Sequence, residues 1–230
     1  MNKNITNTGF KYIDRGYEKS LVLIPGWASD YRIFSTLDLR FNYLLAADCS
    51  LDDFDEKLSK AVSEYGLKKI SLLGWSLGGF LAVDFSLKYK KLIDELILVS
   101  IRKSYNPDKI SEIKFLLKKS KKAYLYSFYR DCFYKKEDLI WFKDNLLKSY
   151  YQELDLNRLL RGLDYLEKVD LKPEDLSSFD KLHIIHGKLD KIAPIDDAID
   201  IKDKLAKIKF TCLGNTGHVP FLNKDFKDWL

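Results

Sequence analysis

A serine, a histidine and an aspartate stand in this chain within short stretches that suit nucleophilic catalysis. Ser76 is the centre of Gly74-Trp75-Ser76-Leu77-Gly78, a G-x-S-x-G pattern between a run that reads as a strand and one that reads as a helix. On such a sharp turn the backbone is strained, small neighbours relieve the crowding, and the N-terminus of the following helix favours developing negative charge. The rival reading, a glycine loop that cradles phosphate, lacks the Lys and Ser/Thr that close a P-loop.

A serine hydroxyl at its ordinary pKa is a weak nucleophile and needs a base nearby. Of three histidines, His183 and His186 fall inside a predicted strand and read as core or edge residues. His218, in Thr216-Gly217-His218-Val219-Pro220-Phe221, follows the last predicted strand on a loop that can reach back across the sheet, so it is the expected base. That base needs a carboxylate to fix its tautomer. Asp190 follows the strand ending at His186-Gly187, whereas Ser100-Ile101-Arg102-Lys103, after the preceding strand, offers no acid. The oxyanion of a tetrahedral intermediate would be met by the backbone N–H of Leu77 and by that of Trp27 in Pro25-Gly26-Trp27.

These residues need strand ends to carry them. Apolar runs at Ser20–Pro25, Phe41–Ala47, Lys69–Leu73 and Glu95–Ser100 alternate with helical patterns, as in a mostly parallel sheet flanked by helices. One helix follows Ser50, read as its N-cap, with Phe54, Leu58, Ala61, Val62 and Tyr65 at helical spacing. Another spans Phe80–Tyr89. From Arg102 to Asp170 strand signals vanish; the clearest helical stripe there is Leu156, Leu159, Leu160, Leu163 and Leu166. Alternation returns with the strand Lys181–His186, a helix over Ile195–Leu205, the strand Lys209–Leu213 and a closing helix from Lys224 to Leu230. The expected organisation is an α/β core of residues 1–101 and 171–230 with an inserted helical lid of residues 102–170.

Length and composition bound the rest. The 230 residues suit one domain with a small subdomain, and 46% hydrophobic residues suit a packed core. The polar stretch Met1–Gly9 has no apolar signal region, and no run is long enough to span a bilayer. Cys49, Cys132 and Cys212 are odd in number and lack metal-type spacing, which points to free thiols in a reducing compartment and a cytoplasmic protein. Residues 102–168 carry 16 basic and 10 acidic side chains against 23 and 24 elsewhere, so the whole net charge of +5 resides in the helical segment. A basic patch of this kind attracts acidic partners; mixed with acids and without a recognition motif, it does not suggest nucleic acid.

Over essentially its whole length the chain resembles the α/β-hydrolase superfamily, in which the catalytic order is also Ser, Asp, His. More narrowly, it resembles the pimeloyl-acyl-carrier-protein methyl ester carboxylesterases of biotin synthesis. The resemblance lies in Ile24-Pro25-Gly26-Trp27, in Gly74-Trp75-Ser76-Leu77-Gly78-Gly79, in Gly162-Leu163-Asp164-Tyr165-Leu166-Glu167-Lys168-Val169-Asp170-Leu171, and in His218-Val219-Pro220-Phe221. It implies an α/β-hydrolase fold and hydrolysis of the methyl ester on a pimeloyl chain held by an acidic carrier protein. The expected enzyme needs no metal or organic cofactor and is a monomer without nucleic-acid or membrane partners. By analogy of position, Phe128, Tyr129, Arg130, Asp131 and Cys132 line the acyl channel, and Arg158 and Arg161 hold the carrier. Two departures stand out: Asp48-Cys49-Ser50 replaces a longer loop with Gly-x-Gly-x-Ser, and the C-terminal helix is short. Thioesterase, C–C bond hydrolase and menaquinone-pathway lyase chemistry remain open on the same triad, as does a non-catalytic binding protein on this scaffold.

Overall fold

The computed structural model describes residues 8–205 and 207–229. Its seven strands are β1 (Phe10–Ile13), β2 (Ser20–Ile24), β3 (Asn42–Ala46), β4 (Ile70–Trp75), β5 (Ile93–Val99), β6 (Leu182–Gly187) and β7 (Lys209–Leu213). They form one sheet in the order β1-β3-β2-β4-β5-β6-β7, parallel except for β1, which runs antiparallel to β3. Every residue of β2, β4 and β6 is buried. Both faces of these strands are covered, which is why their sequences are continuous apolar runs instead of alternating ones.

Helices α1 (Phe54–Glu64), α2 (Leu77–Lys88) and α9 (Ile195–Lys204) belong to the sheet layers. In α1 the spacing of Phe54, Leu58, Ala61 and Val62 delivers one buried face, as expected. Its N-cap is Asp53, not Ser50. Ser50 and Asp53 instead exchange bonds across the preceding turn, Asp53 Oδ1 accepting Ser50 N–H at 2.9 Å and Ser50 Oγ accepting Asp53 N–H at 3.3 Å. Helix α2 is buried over most of its length because it lies at the centre of the sheet.

Between β5 and β6 run α3 (Pro107–Lys119), α4 (Lys121–Cys132), α5 (Lys136–Phe142), α6 (Lys148–Glu153), α7 (Leu156–Leu166) and the short α8 (Pro173–Leu176). Asn106 caps α3 with a Pro at its first turn, Ser120 caps α4, and Asp155 caps α7. A π-turn over Lys143–Leu147 joins α5 to α6 and keeps Phe142, Leu146 and Tyr150 buried at four-residue intervals. In α7, Leu159, Leu163 and Leu166 are buried with Gly162. The two ends of the segment meet: Ser104 bridges Asp170, and Leu171 N–H donates to Lys103 O at 2.7 Å.

β1 is absent from the sequence expectations. The closing helix is a 3₁₀ turn over Lys224–Trp229, and Leu230 and Met1–Asn7 lie outside the described residues. Among the described residues no helix is long and apolar enough to cross a membrane.

Candidate active site

Parallel register aligns the C-terminal ends of five strands. Ile24 faces Gly74, Trp75 faces Val99, and Gly187 faces Leu213, so the loops carrying Trp27, Ser76, Asp190 and His218 emerge along one edge. Loops beyond the carboxyl ends of parallel strands are where such sheets place ligand sites.

Ser76 occupies the β4–α2 turn with φ 55° and ψ −120°, a conformation that L-residues rarely adopt. Its neighbours leave the room this turn needs. A Cβ on Gly74 would stand 2.4 Å from Gly78 O, and one on Gly78 would stand 2.3 Å from Ile24 O. Ser76 N–H donates to Val99 O and Ser76 O accepts from Gly79 N–H, both at 2.9 Å, so the turn is fastened on both sides. As the first residue of α2, Leu77 has an N–H with no acceptor inside the helix.

Asp190 and His218 meet although 28 residues apart. His218 Nδ1 donates to Asp190 Oδ2 at 2.8 Å, while Asp190 Oδ1 accepts Ile192 N–H and Ala193 N–H at 2.8 Å each. Both side chains are buried. Burial alone would raise the Asp190 pKa, but His218, His186 and the Ala193 N–H outweigh it and hold the carboxyl below its usual range. Trp75, the residue before Ser76, donates its indole N–H to His218 O at 2.7 Å, and the two rings lie 5.4 Å apart. His218 N–H donates to Cys132 O at 2.9 Å, which ties the loop to the end of α4. The imidazole is thereby held against the Trp75 ring with its Nδ1 committed to Asp190.

A 420 Å³ cavity opens beside the turn. Gly26, Trp27 and Leu77 line it close to Ser76 in the chain or the fold, Leu81, Leu154 and Phe54 make it apolar, and Asp48–Asp52 also contribute. Arg158, Arg161 and Lys168 line it from the side of α7. The short connection after β3 is folded back against Gly9, whose carbonyl accepts Ala47 and Asp48 N–H at 3.0 and 2.8 Å.

The alpha/beta hydrolase fold family model matches residues 15–141, more than half of the chain. This chain belongs to that family. Among relatives, the pimeloyl-acyl-carrier-protein methyl ester esterase of Nitrosomonas europaea is 25% identical over 90% of this chain and 92% of its own length. That of Aliivibrio salmonicida is also 25% identical, over 94% and 91%. Among solved structures, an esterase from Exiguobacterium antarcticum superimposes with a TM-score of 0.81 at 18% identity, covering 96% of this chain and 92% of that one. A bromoperoxidase from Bacillus anthracis gives 0.80 at 18%, covering 95% and 92%. At such identities these two establish the fold alone.

On this hydrolase fold the remaining sequence candidates divide. Phe128 packs edge-on against Trp27 with centroids 4.9 Å apart, and Tyr129 Oη donates to Ala28 O at 2.7 Å. Both therefore brace the β2 loop. Cys132 acts through its carbonyl on His218. Arg130 is exposed and pairs with Asp131 at 3.4 Å, and none of residues 128–132 is among those that line the cavity described above. Arg158 and Arg161 are exposed on α7.

Two residues near the site carried no sequence signal for it. His186, expected only as a core or edge histidine, donates Nε2–H to Ala193 O at 2.7 Å and lies 3.6 Å from Asp190 Oδ2. Burial lowers its pKa, so it braces the acid's turn as a neutral ring. Tyr105, at the root of α3, packs its ring against Phe80 with centroids 6.2 Å apart and lies under the Arg102 guanidinium, on the Ser76 side of the sheet. No motif marks it, because the contact joins α2 to the chain after β5. Among the described residues no group of three or more His, Cys, Asp or Glu side chains stands where it could hold a metal ion.

Proposed function

We propose that this chain is a serine carboxylesterase acting on the methyl ester of a pimeloyl chain carried by an acyl-carrier protein, with Ser76 as nucleophile, His218 as base and Asp190 as orienting acid. One observation carries the reading above the others: a buried His218–Asp190 pair at 2.8 Å is held against the strained turn that presents Ser76. Nucleophile, base and orienter are the three roles acyl transfer needs.

Chemistry follows from these placements. Ser76 Oγ attacks the ester carbonyl while His218 Nε2 takes its proton. The oxyanion forms toward the N–H groups of Leu77 and Trp27, and water is largely displaced there, so each donor counts for more than in bulk solvent. The carbon–oxygen bond to the leaving group then breaks, and methanol departs with the proton from His218. A water deprotonated by His218 releases the acid and regenerates Ser76. Each proton passes through His218, the water supplying the one that restores Ser76, and no step calls on a cofactor.

Two observations support the substrate class. The apolar walls of the 420 Å³ cavity suit a linear acyl chain, and Arg158, Arg161 and Lys168 supply cations beside it for an acidic carrier. The names of the relatives agree with such a substrate. The test is direct: purified protein hydrolyses short p-nitrophenyl esters, and Ser76→Ala falls to background. Activity retained in that variant overturns the assignment of the nucleophile. Rescue of a biotin auxotroph lacking its own esterase tests the physiological ester.

A further inference from the structure

Residues 214–219, after β7, lie in no helix or strand, so their backbone groups must find partners elsewhere in the fold. His218 finds one on each side of its peptide unit. Its N–H donates to Cys132 O at 2.9 Å, and its carbonyl accepts the indole N–H of Trp75 at 2.7 Å. Two residues earlier, Thr216 O accepts Leu189 N–H at 3.0 Å, which joins this loop to the one carrying Asp190. Gly217 lies so near the end of α4 that a Cβ there would stand 2.8 Å from Cys132 O. The backbone that carries the base is therefore tied to the acid's loop, to the helical segment and, through Trp75, to the strand that leads into Ser76.

Trp75 is firmly seated for this contact. It closes β4, every residue of which is buried, and is itself 3% exposed. Its ring lies 5.4 Å from the His218 imidazole between centroids and packs edge-on against Phe221 at 5.3 Å. Phe221 in turn meets Phe34 at 4.9 Å and Phe226 at 6.3 Å, so the indole sits among packed aromatic rings. A Cβ on Gly26 would stand 3.1 Å from Trp75 Cε3 and 3.1 Å from Ser76 Cβ, so glycine there gives both residues their room. A donor on a packed strand end holds its acceptor more precisely than one on a loop.

Resting on the esterase reading, we propose that Trp75 is a positioning residue for the base: its indole N–H fixes the His218 peptide, so that the imidazole keeps one orientation while it takes and returns protons. Nδ1 is already tied to Asp190 Oδ2 at 2.8 Å. That bond alone lets the ring swing about the acid whenever its own backbone shifts, and the bond from Trp75 removes this freedom. The indole is a donor only and exchanges no proton itself. Without it the buried His218 carbonyl must move to find another donor, and the imidazole moves with it. Because Trp75 and Ser76 are consecutive, one strand end sets both the nucleophile and the backbone of its base. A displacement of about 1 Å in such a constellation lowers the rate on the order of 10²-fold.

The experiment replaces Trp75 in two ways: Trp75→Phe, and Trp75→benzothienylalanine, in which sulfur stands in place of the indole N–H. The second keeps the two-ring shape that packs against His218 and Phe221 and loses only the donor. Both are assayed on a p-nitrophenyl ester, with kcat expressed per Ser76 titrated by a fluorophosphonate, so that an unfolded fraction does not count. The expected result is a kcat lowered by about tenfold or more in both, with KM within about twofold of wild type. A sulfur isostere that keeps the wild-type kcat overturns the proposal, because ring packing would then suffice. A loss carried by KM instead of kcat also overturns it, because the indole would then act on substrate binding. Should Trp75→Phe fail to fold, the isostere decides by itself. Ser76→Ala, assayed in parallel, keeps the two readings apart: wild type no better than Ser76→Ala removes the esterase reading and the proposal together, whereas activity above that background with an unaffected isostere removes the proposal alone.

Discussion

The indole N–H of Trp27 donates to the carbonyl of Leu159 at 2.9 Å, joining the loop after β2 to α7 across 132 residues of chain. Tyr129 adds a bond to Ala28 O, and the Tyr150 hydroxyl accepts Asp30 N–H at 3.3 Å, so the whole loop hangs from the helical segment. The backbone that would supply the second oxyanion donor is therefore positioned by helices inserted elsewhere in the sequence.

Gly162 tests this coupling. A methyl group there would stand 2.5 Å from Trp27 Cδ1, so Gly162→Ala must displace either α7 or the indole. Overpacking of this kind costs about 1–3 kcal/mol. The expected outcome is a lower melting temperature together with a kcat on p-nitrophenyl esters reduced by more than the change in folded fraction explains.

Asp190→Asn retains the shape of the buried acid but removes its charge and alters its pairing with His218. Three hydrogen bonds reach this carboxylate, two from the Ile192 and Ala193 backbone and one from the imidazole. A loss of kcat on the order of 10⁴-fold is expected, measured with Ser76→Ala as background. A variant within tenfold of wild type would remove Asp190 from the catalytic reading.

His183 contributes to stability against acid. Its Nε2 lies 2.9 Å from Thr211 Oγ1, and burial, aided by the charge of Lys209, lowers its pKa from 6.5 to about 4. As pH falls below 6.5 the unfolded chain takes up the proton before the folded one does. Stability is therefore lost between about 6.5 and about 4, and none of this loss occurs above that window. Urea unfolding across this range is expected to show a shallower decline for His183→Gln, which keeps a polar partner for Thr211.

Arg158 and Arg161 bear on the carrier. Both are exposed beside the cavity. Arg158→Glu with Arg161→Glu should slow hydrolysis of a carrier-bound ester while sparing a small soluble ester. Added salt should do the same to wild type, since exposed charges are screened over roughly 8 Å at physiological ionic strength. Equal slowing of both substrates would make the arginines supports of the helical segment.

Much of the architecture was legible because the signals are local. Continuous apolar runs became buried parallel strands, and the leucine spacing of α7 became a buried stripe. The Gly-Trp-Ser-Leu-Gly stretch became a turn at φ 55° because its glycines alone fit between Ile24 and α2. Short-range polar patterns were less decisive. Ser50 read as a helix cap, but Asp53 claimed its N–H and the helix began later. β1 went unnoticed because four residues carry too little periodicity; only pairing with β3, Phe10 opposite Ala46, makes them a strand.

By itself the sequence determined which residue types with the right chemistry occur at the ends of which strands, because strand and turn signals act over a few residues. The tertiary structure decided which of them touch. It set His218 against Asp190, seated His186 beside the acid, and hung the Trp27 loop from α7. Those meetings depend on strand order and on how the helices pack over the sheet, and contacts between distant segments are fixed by burying a shared core, which no local stretch of chain encodes.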